Sequence, residues 1–200
     1  MPNLIPFLTY VFVTTFTPGP NNILSMSNGM RYGYRKTLGF LLGIFTGFLV
    51  LMEICGLLNF VLINLLPQVK LWLNILGAAY MVYLAVHILR SKPMGEGQSD
   101  DSLNTFKAGF ILQFVNLKGI LYGVTVYSTF IVQPGITPLR ISLFAPLLAA
   151  IAFIAISCWA LGGDVFRHYL NRHYRLFNLV MAGLLIYTAI ASLVEAFLAG

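Results

Sequence analysis

The stretch TFTPGPNNIL, residues 15–24, puts two prolines, a glycine and two asparagines at five consecutive positions, Pro18 to Asn22. Its flanks, IPFLTYVFVT before it and the apolar ILSM after it, look like two halves of one membrane span interrupted partway along. Pro18 and Pro20 have no N–H, so the carbonyls of Thr14 and Phe16 lose their helical donors. Thr17 and Gly19, each preceding a proline, are pushed out of helical geometry, and glycine accepts whatever dihedrals result. Proline suits a first helical turn, so the spacing predicts that helix resumes at Pro20, with the N–H groups of Asn21, Asn22 and Ile23 standing open at a positive dipole end.

Such a break belongs in lipid only if the rest of the chain does. The 200 residues are 58% hydrophobic and 9% charged, and mean hydropathy is +0.85. Soluble domains carry about 25% charged residues, so this chain cannot cover a globule with polar surface. It reads as an all-α integral membrane protein, one transmembrane domain over residues 1–200. The opening MPNLIP contains no Lys or Arg, which argues against a secretory signal peptide, and residues 4–26 read as a retained span.

Six apolar runs, near 4–26, 38–65, 70–90, 105–131, 139–162 and 176–198, are long enough to cross ~30 Å of hydrocarbon as helices. Their continuity excludes a barrel, whose strands alternate. Arg31, Arg35, Lys36, Arg90, Lys92, Lys107, Arg167, Arg172 and Arg175 fall on one side of these spans, and only Lys70 and Arg140 on the other. This bias places both termini outside the cytoplasm. The net charge of +6 therefore reflects topology and gives no sign of nucleic-acid binding.

LNILGAAYMVYLA (73–85) aligns without gaps to FNLVMAGLLIYTA (177–189), pairing Asn74 with Asn178, Ala78 with Ala182, Tyr83 with Tyr187 and Ala85 with Ala189. Each expected half, about 1–92 and 105–200 around a polar loop at 93–104, has three spans, and each first span carries a polar interruption, at 17–22 and 113–118. Three-span halves enter from opposite sides, so the repeat is expected to be inverted, 3+3, a common plan of secondary transporters. Gly39, Gly43 and Gly47 share one face of span 2 and read as close-packing positions.

In hydrocarbon each orphaned backbone group costs several kcal/mol, so the broken segment must face protein or a wet cavity. It offers acceptors beside donors, which suits a zwitterion; the alternative is a proline kink satisfied by neighbouring helices. In span 4, LQFVNLKGILYGVTVYSTF (112–130), Lys118 lies too deep to snorkel. Its burial costs at least ~3 kcal/mol on insertion scales, so it needs a partner or a function. It could hold a carboxylate or exchange protons. Gln113 and Asn116 precede it, and continuing helix would align it with Tyr122, Thr125 and Thr129. Glu53 in span 2 is the acidic counterpart, readable either as an ion-pair partner of Lys118 or as a proton carrier. Asp164, Glu195, His87, His168 and His173 lie near span ends or in loops, where solvation accounts for them. Cys55 and Cys158 have no flanking His or Asp, and small-residue packing is favoured over zinc.

With TPGPNN in span 1, NLK in span 4 and GAAYMVYLA in span 3, the chain resembles the lysine-exporter (LysE/RhtB-type) amino-acid export family over essentially its whole length. FVNLKGILYGVTVYSTF and TPGPNNIL are most similar to the branch that exports cysteine and O-acetylserine. The family pattern in span 4 is Asn-Pro-Lys, and Leu117 stands here in place of the proline, which leaves open whether span 4 breaks. The resemblance implies a bacterial inner-membrane, proton-coupled efflux protein for small neutral amino acids, with periplasmic termini and no cofactor. It carries site roles to Thr17, Pro18, Gly19, Pro20, Asn21, Asn116 and Lys118, with Gly77 and Tyr80 matching the span-3 pattern; Asn22 and Tyr122 join the expected substrate site. A homodimer is compatible with it. Two rivals remain at this point. One is a membrane thiol–disulfide shuttle using Cys55 and Cys158. The other is a metal-ion exporter, for which Glu53 alone supplies too few carboxylates.

Overall fold

The computed structural model describes residues 4–90, 101–132 and 135–198; most of the expected 93–104 loop lies outside them. Among the described residues the elements are α1 (Leu4–Phe16), α2 (Pro20–Tyr32), α3 (Tyr34–Leu57), α4 (Asn59–Arg90), α5 (Phe106–Val115), α6 (Leu117–Val126), a π-helical turn at Tyr127–Ile131, α7 (Pro138–Ser142), α8 (Phe144–Val165), α9 (Arg167–Arg172) and α10 (Tyr174–Leu198), with a 3₁₀ turn at Asp101–Leu103.

Four stretches, Tyr34–Leu57, Trp72–Arg90, Pro138–Val165 and Tyr174–Val194, are long and apolar enough to cross a membrane, and α5 with α6 forms a fifth, bent by 64°. Leucines, isoleucines and valines such as Ile5, Val13, Val61, Leu76, Ile154 and Ile190 stand on the outside, the surface of a protein solvated by lipid.

One expected boundary moves. The second and third runs, placed at 38–65 and 70–90, divide instead at Leu58, after which α4 continues without interruption to Arg90. At 1.5 Å per residue the 24 residues of α3 already cover about 36 Å, so the helix has no need to reach residue 65.

Helices α4 and α10 pack along each other, and the residues paired by the internal alignment share environments. Asn74 and Asn178 are buried, as are Ala78 and Ala182, and Ala85 and Ala189, whereas Tyr83 and Tyr187 are both exposed. Elsewhere α2 packs on α8, α3 on α5, and α3 on α8. Two of these crossings are backbone-close. A Cβ on Gly29 would overlap the backbone of Ala160, and one on Gly163 would overlap that of Met26; Gly43 and Gly109 stand likewise against Phe106 and Phe40. Gly47 abuts Phe110 and Gln113, but Gly39, expected to share this packing, has open space beside it.

Asp164 also departs from expectation. Its Oδ2 accepts the N–H of Tyr34 at 3.0 Å, and Arg167 lies 4.0 Å away. The carboxylate at the end of α8 thus satisfies an open donor at the start of α3 and favours the positive end of that helix.

Candidate functional site

The first break lies where the proline rules put it. Helix α1 stops at Phe16 and α2 begins at Pro20, with Gly19 as the flanking residue at φ −172°, ψ 176°. That is ordinary extended backbone, so Gly19 is not needed for its dihedrals. Its value is spatial: a Cβ there would stand 3.0 Å from Cδ and 3.2 Å from Nζ of Lys118.

The second break answers what Leu117 left open. Span 4 divides at Asn116 without a proline, which takes φ −85°, ψ 90° between α5 and α6. The two breaks are tied together by amides. Asn21 Nδ2 donates to Gln113 Oε1 at 2.8 Å, and Asn21 Oδ1 accepts from Gln113 Nε2 and Asn116 Nδ2, both at 3.2 Å. Gln113, fully buried, also donates to the Gly109 carbonyl at 3.0 Å. Asn116 therefore commits its amide N–H to span 1 at the point where span 4 divides.

Of the carbonyls around the first break, those of Thr15, Phe16, Thr17 and Pro18 are taken up by side chains. Lys118 Nζ donates to the Thr17 carbonyl at 2.7 Å and to that of Pro18 at 3.4 Å. Asn22 Nδ2 donates to the carbonyls of Thr15 and Thr17, each at 2.9 Å, and Trp159 Nε1 reaches that of Phe16 at 3.3 Å. The Thr17 hydroxyl turns back onto the Val13 carbonyl. Ile23 N–H, expected to be open, donates to the Gly19 carbonyl at 2.9 Å, which leaves Asn21 and Asn22 as donors in the first turn of α2. Apart from the Thr14 carbonyl, on a residue that lines the cavity, acceptors for an ammonium must then come from elsewhere.

They are found across the cavity. A pocket of about 420 Å³, counting its open side, is lined by Gly19, Pro20, Asn21 and Asn22 from span 1 and by Asn116, Lys118 and Tyr122 from span 4. Thr14, Thr15, Phe48, Gly119, Ala152 and Ile156 complete it. Asn116 Oδ1 is buried without a protein hydrogen-bond partner, and the buried Tyr122 hydroxyl meets the Thr15 side chain on the same wall. Buried polar atoms are almost always satisfied, so the unpartnered Asn116 oxygen makes this wall the candidate place for a polar ligand. Tyr80 lies outside this wall, on a smaller cavity behind Pro20, Asn116 and Lys118 that α10 helps to line through Thr188 and Ser192.

Other expected partners stay apart. Among the described residues no ion pair joins Glu53 to Lys118; one carboxylate oxygen of Glu53 is buried without a partner, as is the Tyr127 hydroxyl. The predicted polar stripe fades beyond Tyr122, since Thr125 is half-buried and Thr129 exposed where the backbone turns to π-helix. Cys55 is buried and Cys158 exposed, both as free thiols, and neither lines the cavity. No group of three metal-ligating side chains occurs among the described residues. Trp159, Phe48 and Ala152 were not singled out from sequence, because nothing in an apolar run says which of its faces meets a break.

Residues 12–196 match the family model described as LysE type translocator. The chain is 42% identical over 195 residues to the "Cysteine/O-acetylserine efflux protein" of Klebsiella pneumoniae subsp. pneumoniae, covering 97% of this chain and 99% of that one. It is 39% identical over 187 residues to the protein of the same name from Escherichia coli strain K12, covering 94% and 95%. No solved structure matches it.

Proposed function

Since the chain belongs to the LysE-type translocator family, we propose that it is a multi-pass inner-membrane transporter that exports small neutral amino acids, cysteine and O-acetylserine foremost, as its relatives' names state for them. The observation that carries the site is Lys118: a cation held where two broken spans meet, on a cavity whose wall presents the unpartnered Asn116 Oδ1. The substrate carboxylate takes the free N–H of Lys118 and the first-turn donors of α2 at Asn21 and Asn22, where charge and dipole agree. The ammonium takes Asn116 Oδ1 and the Tyr122 hydroxyl. Thr17, Pro18 and Gly19 act through Lys118 by seating its ammonium and leaving room for its stem, and Pro20 starts the donor helix.

The architecture that serves this chemistry is six spans in two inverted halves, α1 with α2 counting as the first and α5 with α6 as the fourth, both termini periplasmic. Such halves rock about a central site so that it opens to one side at a time. Coupling is to protons, carried by Glu53, whose carboxylate lies off the substrate cavity and joins no ion pair among the described residues. A competition panel in proteoliposomes, with and without a pH gradient, tests the reading. Cysteine and O-acetylserine should compete with radiolabelled cysteine; if neither does, the substrate assignment falls. Glu53→Gln should abolish stimulation by the gradient while leaving counterflow exchange within about threefold of the parent, and unchanged stimulation would remove Glu53 from the coupling step.

A further inference from the structure

The two halves of each broken span are packed in different ways. On the side of the breaks that leads to the basic loops, α2 lies on α8 and α5 on α3 with glycines against backbone: Gly29 on Ala160, Gly163 on Met26, Gly43 on Phe106, Gly109 on Phe40. Small residues at both faces of a crossing let helices approach to backbone contact, which is how helices associate in lipid. The same end is fastened by polar bonds, from Tyr34 N–H to Asp164 at 3.0 Å, from Asn28 Nδ2 to the Leu103 carbonyl at 3.2 Å and from Asn104 Nδ2 to the Lys36 carbonyl at 3.1 Å.

The opposite side is built from side chains. Gly123 in α6 faces the Cys55 sulfur and the Met52 methyl of α3, and Gly56 faces the Tyr127 ring and Ile141. Helix α1 turns Leu4, Ile5, Phe12 and Val13 outward and buries Phe7 and Val11 in a side-chain cluster with Tyr127, Ile131 and Leu148. Above the cavity Tyr10 stacks on Tyr122 at 6.0 Å and meets Phe130 at 5.8 Å. The cavity itself takes Thr14, Thr15, Tyr122 and Ala152 from this side, and nothing from α2 beyond Asn22 or from α5. If the halves were related by an exact two-fold, α1 would meet α8 as α5 meets α3. It does not.

We infer that this is the outward-facing arrangement of the transporter: two glycine-locked crossings, α2 on α8 and α5 on α3, form an inner gate held backbone to backbone, and Tyr10, Tyr122 and Phe130, over the cluster of Phe7, Val11 and Tyr127, form an outer gate held by side chains alone. The inference rests on the alternating-access reading above. Opening inward requires both crossings to part while α1 and α6 close down on α8 and α3. A Cβ at Gly29 or Gly109 props the inner gate open, because backbone cannot yield as a side-chain tip can.

Single-cysteine labelling with a membrane-impermeant thiol reagent tests this on the full chain carrying Cys55→Ser and Cys158→Ser, with exposed Arg35→Cys marking the basic-loop face. Thr15→Cys should label from the opposite face at least tenfold faster than Ser27→Cys labels from either face. Adding Gly29→Ala or, separately, Gly109→Ala should reverse that order, with Ser27→Cys now labelled from the Arg35 face. Ser27→Cys labelling as fast as Thr15→Cys in the parent overturns the inference without needing a glycine variant to fold, and so does an order unchanged in a glycine variant that elutes as a folded protein. Labelling that follows the expected pattern when cysteine fails to compete in transport would leave the gate standing and remove only the substrate assignment.

Discussion

The two breaks at the centre of the protein reach the same end by different means. In span 1 the chain itself forbids helix: Pro18 and Pro20 remove donors, and the interruption would form in any surroundings. In span 4 no residue forbids it. Asn116 leaves helical geometry while its amide donates to Asn21 on the other span. One break is written into its own sequence; the other coincides with a side-chain hydrogen bond to the first span. The comparison teaches that a helix without proline can be discontinuous where a side chain at the break is committed to a neighbouring span.

The largest effect should come from cutting both breaks off from Lys118. Lys118→Met removes the cation seated on the Thr17 and Pro18 carbonyls, and export of labelled cysteine into inverted vesicles should fall by more than 100-fold. Lys118→Arg rescuing it to parent levels would argue for a charge without a seat. Next, Asn21→Ala takes away the partner that Asn116 bonds to. It strands the amides of Gln113 and Asn116, each at about 1–3 kcal/mol; we expect roughly 30-fold slower transport and a Tm several degrees lower. Equal transport in this variant would show that span 4 breaks unaided. Gly19→Ala brings a methyl within 3.0 Å of the Lys118 stem. Because that stem is flexible, the cost should be a roughly tenfold rise in the substrate concentration needed for half-maximal transport, at unchanged thermal stability.

The smallest effect is the most discriminating. Leu117→Pro restores to span 4 the residue the family pattern carries there. Leu117 opens α6, a position where proline is tolerated because its N–H has no helical partner. Transport should stay within about twofold. A large loss would mean that the geometry at Asn116 differs from a proline-type break.

These contrasts also explain what was legible beforehand. The first break could be read because proline, glycine and asparagine act on their own backbone, within two or three residues. The depth of Lys118 was readable from its position in an apolar run. What could not be read depends on partners: that Lys118 turns to the carbonyls and not to Glu53, that span 4 divides at Asn116 without a proline, that Asp164 caps α3 from the far end of α8, and that Gly39 packs against nothing. Each is decided by a residue 70 or more positions away or by the orientation of a helix face. The shift of the α3–α4 turn to Leu58 belongs with them, since uninterrupted apolar sequence marks no place to stop.

Asn74 and Asn178, each buried and carried by two helices that pack along each other, set a condition on biogenesis. A slide of one helix past the other would move buried amides against apolar neighbours, so the joint favours one register. Its two sides are 104 residues apart in the chain, each in the last long helix of its half. The first half must therefore wait in the bilayer with an amide-bearing face uncovered until synthesis is nearly complete, and a chain truncated before α10 should be a quality-control substrate even with its transport site intact.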